Sequence, residues 1–149
     1  MARLIHPVAG AIALLTIAIF WTSTAVSELF LSDAAVTAVK TAIPWGFILL
    51  IPALAAAGGT GFSLARGRRG GLIGAKARRM PFIAGNGILI LVPAALYLAF
   101  KAAHGAFDGM FYTVQAFELV AGAVNIALLG LNMRDGQKMR RLRLRRAPA

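Results

Sequence analysis

The chain has 149 residues, of which 59% are hydrophobic and 14% are charged, and its formal net charge is +11. A soluble domain carries ~25% charged residues and could not bury so much apolar surface in a single core. The composition therefore excludes an ordinary soluble fold and predicts a membrane protein. The chain contains no cysteine, which excludes disulfides, thiolate metal sites, iron–sulfur clusters and covalently attached c-type haem.

Four long apolar segments follow one another along the chain, at residues 8–30, 42–64, 82–103 and 111–133. Each has about 22 residues, which at ~1.5 Å rise per residue crosses the ~30 Å hydrocarbon core of a bilayer. We therefore predict an all-α fold, an integral membrane four-helix bundle that runs up-down-up-down. Residues 1–149 form one membrane domain, with a basic loop at 65–81 and a basic tail at 134–149.

The first segment begins beside His6 and Pro7. Proline is tolerated in the first turn of a helix, because its missing N–H would have no partner there. The residues Ala25-Val26-Ser27 loosely fit a signal-peptidase site. The apolar run before them is long for a signal peptide, so we expect a retained transmembrane helix whose second half, with Glu28, is the more polar.

The second segment is preceded by a cap signal. Ser32 and Asp33 predict the N-cap of a short amphipathic helix over residues 34–41, lying on the outer membrane surface. The transmembrane helix then starts near Trp45, a residue type that is enriched at the membrane interface.

A row of small residues, Ala53, Ala57 and Gly61, lies on one face of the second segment at four-residue spacing. Such a row lets another helix approach closely inside a membrane, and we interpret it as a docking face for a partner helix. Pro52 and Pro93 predict kinks in the second and third segments.

The distribution of basic residues predicts the orientation. All 16 lysines and arginines except Lys40 and Lys101 lie in the N-terminus, the 65–81 loop and the tail. Because Lys and Arg accumulate in cytoplasmic loops, we expect both termini and this loop in the cytoplasm. The 31–41 and 104–110 connections should then face outward. This pattern is typical of a multi-pass protein of the bacterial inner (cytoplasmic) membrane.

The same basic residues are candidate ligands for lipid headgroups. Clustered Lys and Arg beside a membrane attract anionic lipid by about 1 kcal/mol per charge. We therefore expect membrane lipids with anionic headgroups as partners, and no nucleic acid. The loop lacks the spacing and the Gly-Lys-Ser/Thr ending of a phosphate loop. The predicted headgroup ligands are Arg66, Arg68, Arg69, Lys76, Arg78, Arg79, Arg140, Arg141, Arg143, Arg145 and Arg146.

The fourth segment carries the sharpest pattern in the chain. Alternating steps of three and four residues place six positions on one face of this helix: Gln115, Glu118, Gly122, Asn125, Leu129 and Asn132. We call these six positions the polar stripe. Because the opposite face is apolar, we expect the stripe to face the bundle interior. For its amides the simplest interpretation is interhelical hydrogen bonding, and a proton or ligand site is the alternative.

Glu118 stands out because it lies near the centre of its segment, about 6 Å from Gly122 along the helix axis. Ionisable groups at this depth are rare, and they are usually paired or functional. Two roles remain open, a functional proton or ligand site and a structural hydrogen bond. The candidate partners of Glu118 are Thr24, Ser27, Glu28, Lys40 and Trp45. The candidate proton or ligand site consists of Glu118, Gln115, Asn125 and Glu28.

The two histidines are predicted at opposite ends of the bundle, so His6 and His104 cannot share one haem or one metal ion. The sequence contains no HExxH motif and no Ser-His-Asp set in a supporting context, so we predict no catalytic residues and no metal site. His6 and Met80 both lie near the inner rim and could ligate a b-haem, which makes haem the candidate cofactor.

Three functional hypotheses follow. The first is a non-enzymatic accessory or interaction subunit, which docks on a membrane-protein partner or a second copy through the small-residue row and binds anionic lipid through its basic face. The second is membrane electron transfer through b-haem or quinone. The third is a small proton-coupled transporter that uses Glu118. The absence of a catalytic set favours a protein that is not an enzyme.

Overall fold

The computed structural model describes residues 2–65 and 71–145. Helices account for nearly all of these residues, and the described ranges contain no strand. Because α3, the π segment and α4 follow one another without a break, we call them together the third rod, and the described residues form four rods. The elements in chain order are α1 (Ala2–Phe30), α2 (Asp33–Ala65), α3 (Gly71–Asn86), a π segment (Gly87–Leu91), α4 (Val92–Ala103) and α5 (Gly109–Arg145).

Each rod is long and apolar enough to cross a membrane. Large apolar side chains cover the outside: Leu15, Ile19, Phe117 and Val120 are between 62% and 70% exposed. Because water disfavours such a surface, the structure indicates a multi-pass membrane protein and confirms the prediction of an all-helical fold with four long apolar helices. The stretches that meet the length and hydropathy of a membrane span are Leu4–Phe30, Asp33–Leu64, Gly74–Ala103 and Gly109–Met139.

The helix start before the second segment differs from the prediction. The prediction of a separate surface helix over residues 34–41 is wrong. These residues form the first turns of α2, which continues without a break. Val36 and Lys40 are 4% and 0% exposed, and Val36 packs against Leu98 of α4. This stretch therefore belongs to the bundle core and not to the membrane surface.

The predicted basic loop and tail are also shorter than expected. The loop over 65–81 is helical from Gly71 onward, and the tail over 134–149 is helical as far as Arg145. An ion pair between Arg79 of α3 and Asp135 of α5 ties the two extensions together. Four predicted headgroup ligands lie outside the described residues: Arg66, Arg68, Arg69 and Arg146.

Successive rods run in opposite directions. At one end, the start of α1 meets the end of α2 through a 2.9 Å hydrogen bond between His6 Nδ1 and Ala57 O. The start of α3 meets the end of α5 there through Arg79 and Asp135. We call this the arginine-rich end. The other end, where α1 and α4 finish and α2 and α5 begin, is the arginine-poor end.

The four rods form a ring in which each backbone packs against two neighbours. The contact between α1 and α2 is the most extensive, and contacts of α2 with the third rod, of the third rod with α5, and of α5 with α1 close the ring. In the described ranges, the backbones of the diagonal pairs, α1 with the third rod and α2 with α5, do not approach each other. Contact across either diagonal therefore depends on side chains.

The small-residue row of α2 is used inside the bundle. Ala53 and Ala57 are each 8% exposed. A Cβ atom at Gly61 would lie 2.9 Å from His6 Cε1 of α1. The expectation that this row docks a partner helix is therefore wrong, because α1 already occupies it.

The third rod changes its helical register at the π segment. The N–H of Val92 donates to the carbonyl of Gly87, which is five residues back and so one residue more than in an α-helix. Pro93 follows directly, and its ring displaces the carbonyl four residues earlier. The irregularity predicted near Pro93 is thus a π segment, whereas α2 continues through Pro52 without a break.

Candidate functional site

The polar stripe of α5 faces the bundle interior, as predicted. Gln115, Asn125 and Asn132 are 4%, 1% and 4% exposed. A Cβ atom at Gly122 would lie 2.9 Å from the Trp21 ring of α1. The three-and-four spacing therefore identifies the buried face of this helix correctly.

The strongest contact of the stripe crosses a diagonal. Lys40 Nζ of α2 donates to Glu118 Oε2 of α5 at 2.6 Å, and the Lys40 side chain is fully buried while that of Glu118 is 13% exposed. Gln115 Nε2 donates to the same carboxylate oxygen at 3.3 Å. Lys40 is one of the partners that the sequence offers for Glu118. Removing one member of such a buried pair leaves an uncompensated charge, so the two side chains depend on each other.

Acceptors outnumber donors around this pair. Glu28 of α1 lies close enough to Lys40 and Glu118 to interact with both charges. Its Oε1 atom is buried and receives no hydrogen bond from the described residues, and the same holds for Gln115 Oε1 and Asn125 Oδ1. Such atoms are rare in folded proteins, so each calls for a donor other than the side chains around it. We call Glu28, Lys40, Gln115 and Glu118 the Lys40 cluster.

A cavity of about 70 Å³ lies between the rods beside the Lys40 cluster. Its lining contains three aromatic side chains, Phe20, Trp21 and Phe47, and Glu118 is the one ionisable group among the lining residues. Trp21 Nε1 donates to the carbonyl of Leu119 at 2.8 Å, which holds the indole ring against α5. The walls are otherwise made of apolar residues, apart from Thr24.

A second buried ion pair lies at the arginine-rich end. Arg79 of α3 donates to Asp135 of α5 at 2.7 Å, and the two side chains are 28% and 5% exposed. Arg79 also donates to Asn132 Oδ1 at 3.4 Å, and Asn132 Nδ2 lies 3.6 Å from Met80 Sδ, to which it donates. Both polar atoms of the Asn132 amide therefore have partners, unlike those of Asn125.

His6 links three rods at the arginine-rich end. Its Nδ1 atom lies 2.9 Å from Ala57 O of α2, and its Nε2 atom lies 2.7 Å from Lys76 Nζ of α3. Because an ammonium group only donates, these partners require a neutral imidazole with its proton on Nδ1. Both ring nitrogens are thus engaged, and the geometry gives no support to a haem held by His6 and Met80.

No metal centre is apparent either. In residues 2–65 and 71–145, no group of three or more His, Asp or Glu side chains could hold a metal ion. The Lys40 cluster contains two carboxylates, and the Lys40 ammonium group is paired with the carboxylate of Glu118.

The predicted headgroup ligands in α3 and α5 fall into three groups. Lys76 and Arg79 are corrected, because they reach into the bundle and contact His6 and Asp135 instead of lipid. Arg78 is exposed on α3, and Arg141 is exposed on α5. The side chains of the remaining predicted ligands in α5 are not among those that the structure describes: Arg140, Arg143 and Arg145.

Sequence reasoning missed three interior residues of the arginine-rich end: Lys76, Arg79 and Asp135. Asp135 follows Asn132 by three residues, so the spacing rule already extends the polar stripe to it. No such signal separates the inward-facing Lys76 and Arg79 from the exposed Arg78, because a long cationic side chain can reach either way from a helix.

No family model, curated protein or solved structure matches the chain. A function for this chain is therefore inferred from the geometry of the described residues.

Proposed function

We propose that this protein is a small proton-coupled transporter of the bacterial inner membrane, in which Glu118 and Glu28 bind the proton. The observation that carries the proposal is the charge of the Lys40 cluster. It places the Lys40 ammonium group against the Glu118 carboxylate, with the Glu28 carboxylate close enough to interact with both charges. When all three are ionised, one net negative charge lies in the bundle interior, where an uncompensated charge is strongly disfavoured. One further positive charge balances it, and a proton is the smallest candidate.

The surroundings of Glu118 support a reversible role. Ionisable side chains inside a membrane bundle generally mark ion and proton pathways. Glu118 lines the cavity, and the π segment contributes Gly87 and Leu91 to the same lining. Interruptions of this type occur frequently at functional sites. A solute in the cavity and a proton on the carboxylate pair therefore share one group, which is the requirement for coupling.

An infrared titration of the full chain in lipid vesicles tests the proton site. We expect the carbonyl band of a protonated carboxylic acid to change between acidic and alkaline buffer, because the carboxylate pair gains and loses a proton. Glu118→Gln should remove or shift this band. Asp108→Asn is the matched control, since it makes the same chemical change at an exposed carboxyl group outside the cluster.

The outcomes of the titration are distinct. A band that is lost in Glu118→Gln and retained in Asp108→Asn supports proton binding at the cluster. A spectrum that does not change with pH, or that changes identically in wild type and Glu118→Gln, overturns the proposed function. Glu28→Gln then shows whether the proton is shared, since a shared proton should shift the band in that variant as well.

The proposal includes an orientation, with both termini and the arginine-rich end in the cytoplasm. It is supported by the concentration of Lys and Arg at that end. The exposed side chains of Arg78 and Arg141 lie there, where they can meet anionic headgroups.

Cysteine labelling tests this orientation cleanly, because the chain has no cysteine of its own. In intact cells, we expect a membrane-impermeant maleimide to label His104→Cys, which replaces an exposed residue of the arginine-poor end. Arg141→Cys should react only after the membrane is permeabilised. The opposite pattern would mean that the arginine-rich end faces outward.

A further inference from the structure

We infer that the cavity beside Glu118 binds a small organic cation, an amine that carries a short apolar substituent. This inference rests on the proposed function, because the carboxylate that would hold the amine also belongs to the proton site. It goes further by naming the chemical class of the solute.

The first argument is an available carboxylate oxygen. Both hydrogen bonds that Glu118 receives from the described side chains, from Lys40 and Gln115, end on Oε2. Glu118 Oε1 accepts none from these residues, and Glu118 is among the residues that line the cavity. An ammonium group in the cavity would supply the donor, and charge-assisted bonds of this kind are about twice as strong as neutral ones.

The second argument is the composition of the walls. Phe20, Trp21 and Phe47 line the same cavity, and the faces of aromatic rings attract cations. The other lining residues are nearly all aliphatic, which suits an apolar substituent and disfavours an anion or a strongly hydrated inorganic ion. Trp21 already uses its ring N–H on Leu119 O, so it offers its ring and no donor.

The third argument is size. The cavity has a volume of about 70 Å³, whereas a cavity of roughly 150 Å³ holds benzene. Since benzene has six heavy atoms, a ligand of about three heavy atoms is the right scale. A short alkylammonium ion meets all three conditions of size, charge and apolar surface.

Charge balance makes the proton and the amine compete. The groups that face Glu118 are Glu28 from α1 and Lys40 from α2, and the lining residues from the third rod are all non-ionisable. One added positive charge neutralises the cluster, whether it arrives as a proton or as an ammonium ion. Amine affinity should therefore fall as the solution becomes more acidic, and binding of the amine should release a proton.

Tryptophan fluorescence can report on the site directly. The chain has two tryptophans, and Trp45 is 75% exposed on the outer surface, so Trp45→Phe leaves Trp21 as the reporter in the full chain. In nanodiscs at alkaline pH, we expect saturable changes in emission with ethylammonium. The matched probes ethanol and acetate should give none, because they carry a short apolar group of similar size and lack the positive charge.

Two variants keep the inference testable. Glu118→Gln should weaken ethylammonium binding by about tenfold or more, the equivalent of one lost charge-assisted hydrogen bond. Ala95→Leu adds bulk at a buried cavity wall without touching the ion pair, and it should abolish binding while the helical circular dichroism remains. Ala123→Leu is its control, because Ala123 is exposed on α5.

The results separate this inference from the proposed function. Equal responses to ethylammonium and ethanol, or unchanged binding in Ala95→Leu, overturn the amine site. If the infrared titration still shows a proton on Glu118 in that case, the proton site stands and only the solute class is wrong. Amine binding without any titrating carboxyl band would mean the reverse: the site binds cations, but the protein is not coupled to protons.

Discussion

Both ends of the bundle contain an ion pair between rods, but acceptors are in excess at one end and positive charges are in excess at the other. At the arginine-poor end, Lys40 crosses one diagonal to Glu118, and carboxylate and amide oxygens outnumber the donors around it. At the arginine-rich end, Lys76 crosses the other diagonal to His6, and Arg79 pairs with Asp135. There, two cationic side chains meet one carboxylate, and both polar atoms of Asn132 have partners.

This difference distinguishes a structural clamp from a chemically incomplete site. A hydrogen-bond network in which each group has a partner rigidifies the fold and needs no additional donor or acceptor. A network with buried acceptors that lack donors is incomplete. A proton, a water molecule or a ligand can supply the missing hydrogen bonds. On this basis the arginine-rich end holds the four rods together, and the Lys40 cluster is where we propose that a proton or a ligand binds.

The largest effect should follow from breaking the Lys40 pair. Lys40→Met keeps the length of the side chain but leaves Glu118 without its counterion, which we expect to destabilise the fold by about 3 kcal/mol or more. Thermal unfolding in detergent, followed by circular dichroism, measures the size of the loss.

The double variant Lys40→Met, Glu118→Leu is the control for that measurement. Replacing both members of a buried pair by apolar residues is often neutral, so stability should return close to that of the wild type. If the double variant is as unstable as Lys40→Met, then packing of the lysine chain matters more than its charge, and the contrast between the two ends is not electrostatic.

A smaller effect should follow at the other end. Arg79→Gln removes the closest partner of Asp135, but Arg79 is 28% exposed and Lys76 still places a positive charge near this carboxylate. We expect a loss of about 1–2 kcal/mol in the free energy of unfolding. Arg78→Gln is the control, because Arg78 is the exposed neighbour on the same helix and its replacement should change stability by less than about 0.5 kcal/mol. A larger loss in Arg79→Gln than in Lys40→Met would reverse the comparison.

Much of the fold follows from the sequence, because apolar length and helical spacing are strong signals. Four helices, their alternation and the buried face of α5 are all readable from residues 8–133. The helix bounds are not, since they depend on packing beyond the apolar segments: Val36 buries the start of α2, and Asp135 pairs with α3. Hydropathy places such polar or mixed stretches outside the membrane bundle.

The candidate site was predictable only in part for the same reason. The spacing rule identifies Glu118 and offers Lys40 among several partners, but it cannot show that α2 and α5 are diagonal rods that a lysine side chain has to bridge. The cavity depends on where Phe20, Trp21 and Phe47 converge from two rods. Position along one helix contains no information about that convergence.

The smallest effect concerns Asp108, which separates exposure from position. It lies at the arginine-poor end, like Glu118, but its side chain is 54% exposed and pairs with Lys101. The hydrogen bond from Lys101, followed by that from the Phe111 N–H at the start of α5, lowers the pKa of Asp108 below its ordinary value. The stability that these contacts give is therefore present above about pH 4, the ordinary carboxyl value, and is lost as the pH falls through the lowered pKa.

We expect the melting temperature of the wild type to fall more steeply below about pH 4 than that of Asp108→Asn, which has no carboxyl group to titrate there. The difference should be slight, because an exposed pair is screened by solvent. Lys101→Gln should move the midpoint of the acid transition upward, since it removes the main cause of the shift. A loss of stability in Asp108→Asn as large as that in Lys40→Met would contradict the comparison. It would show that the position of a pair at this end, and not its burial, determines the cost of breaking it.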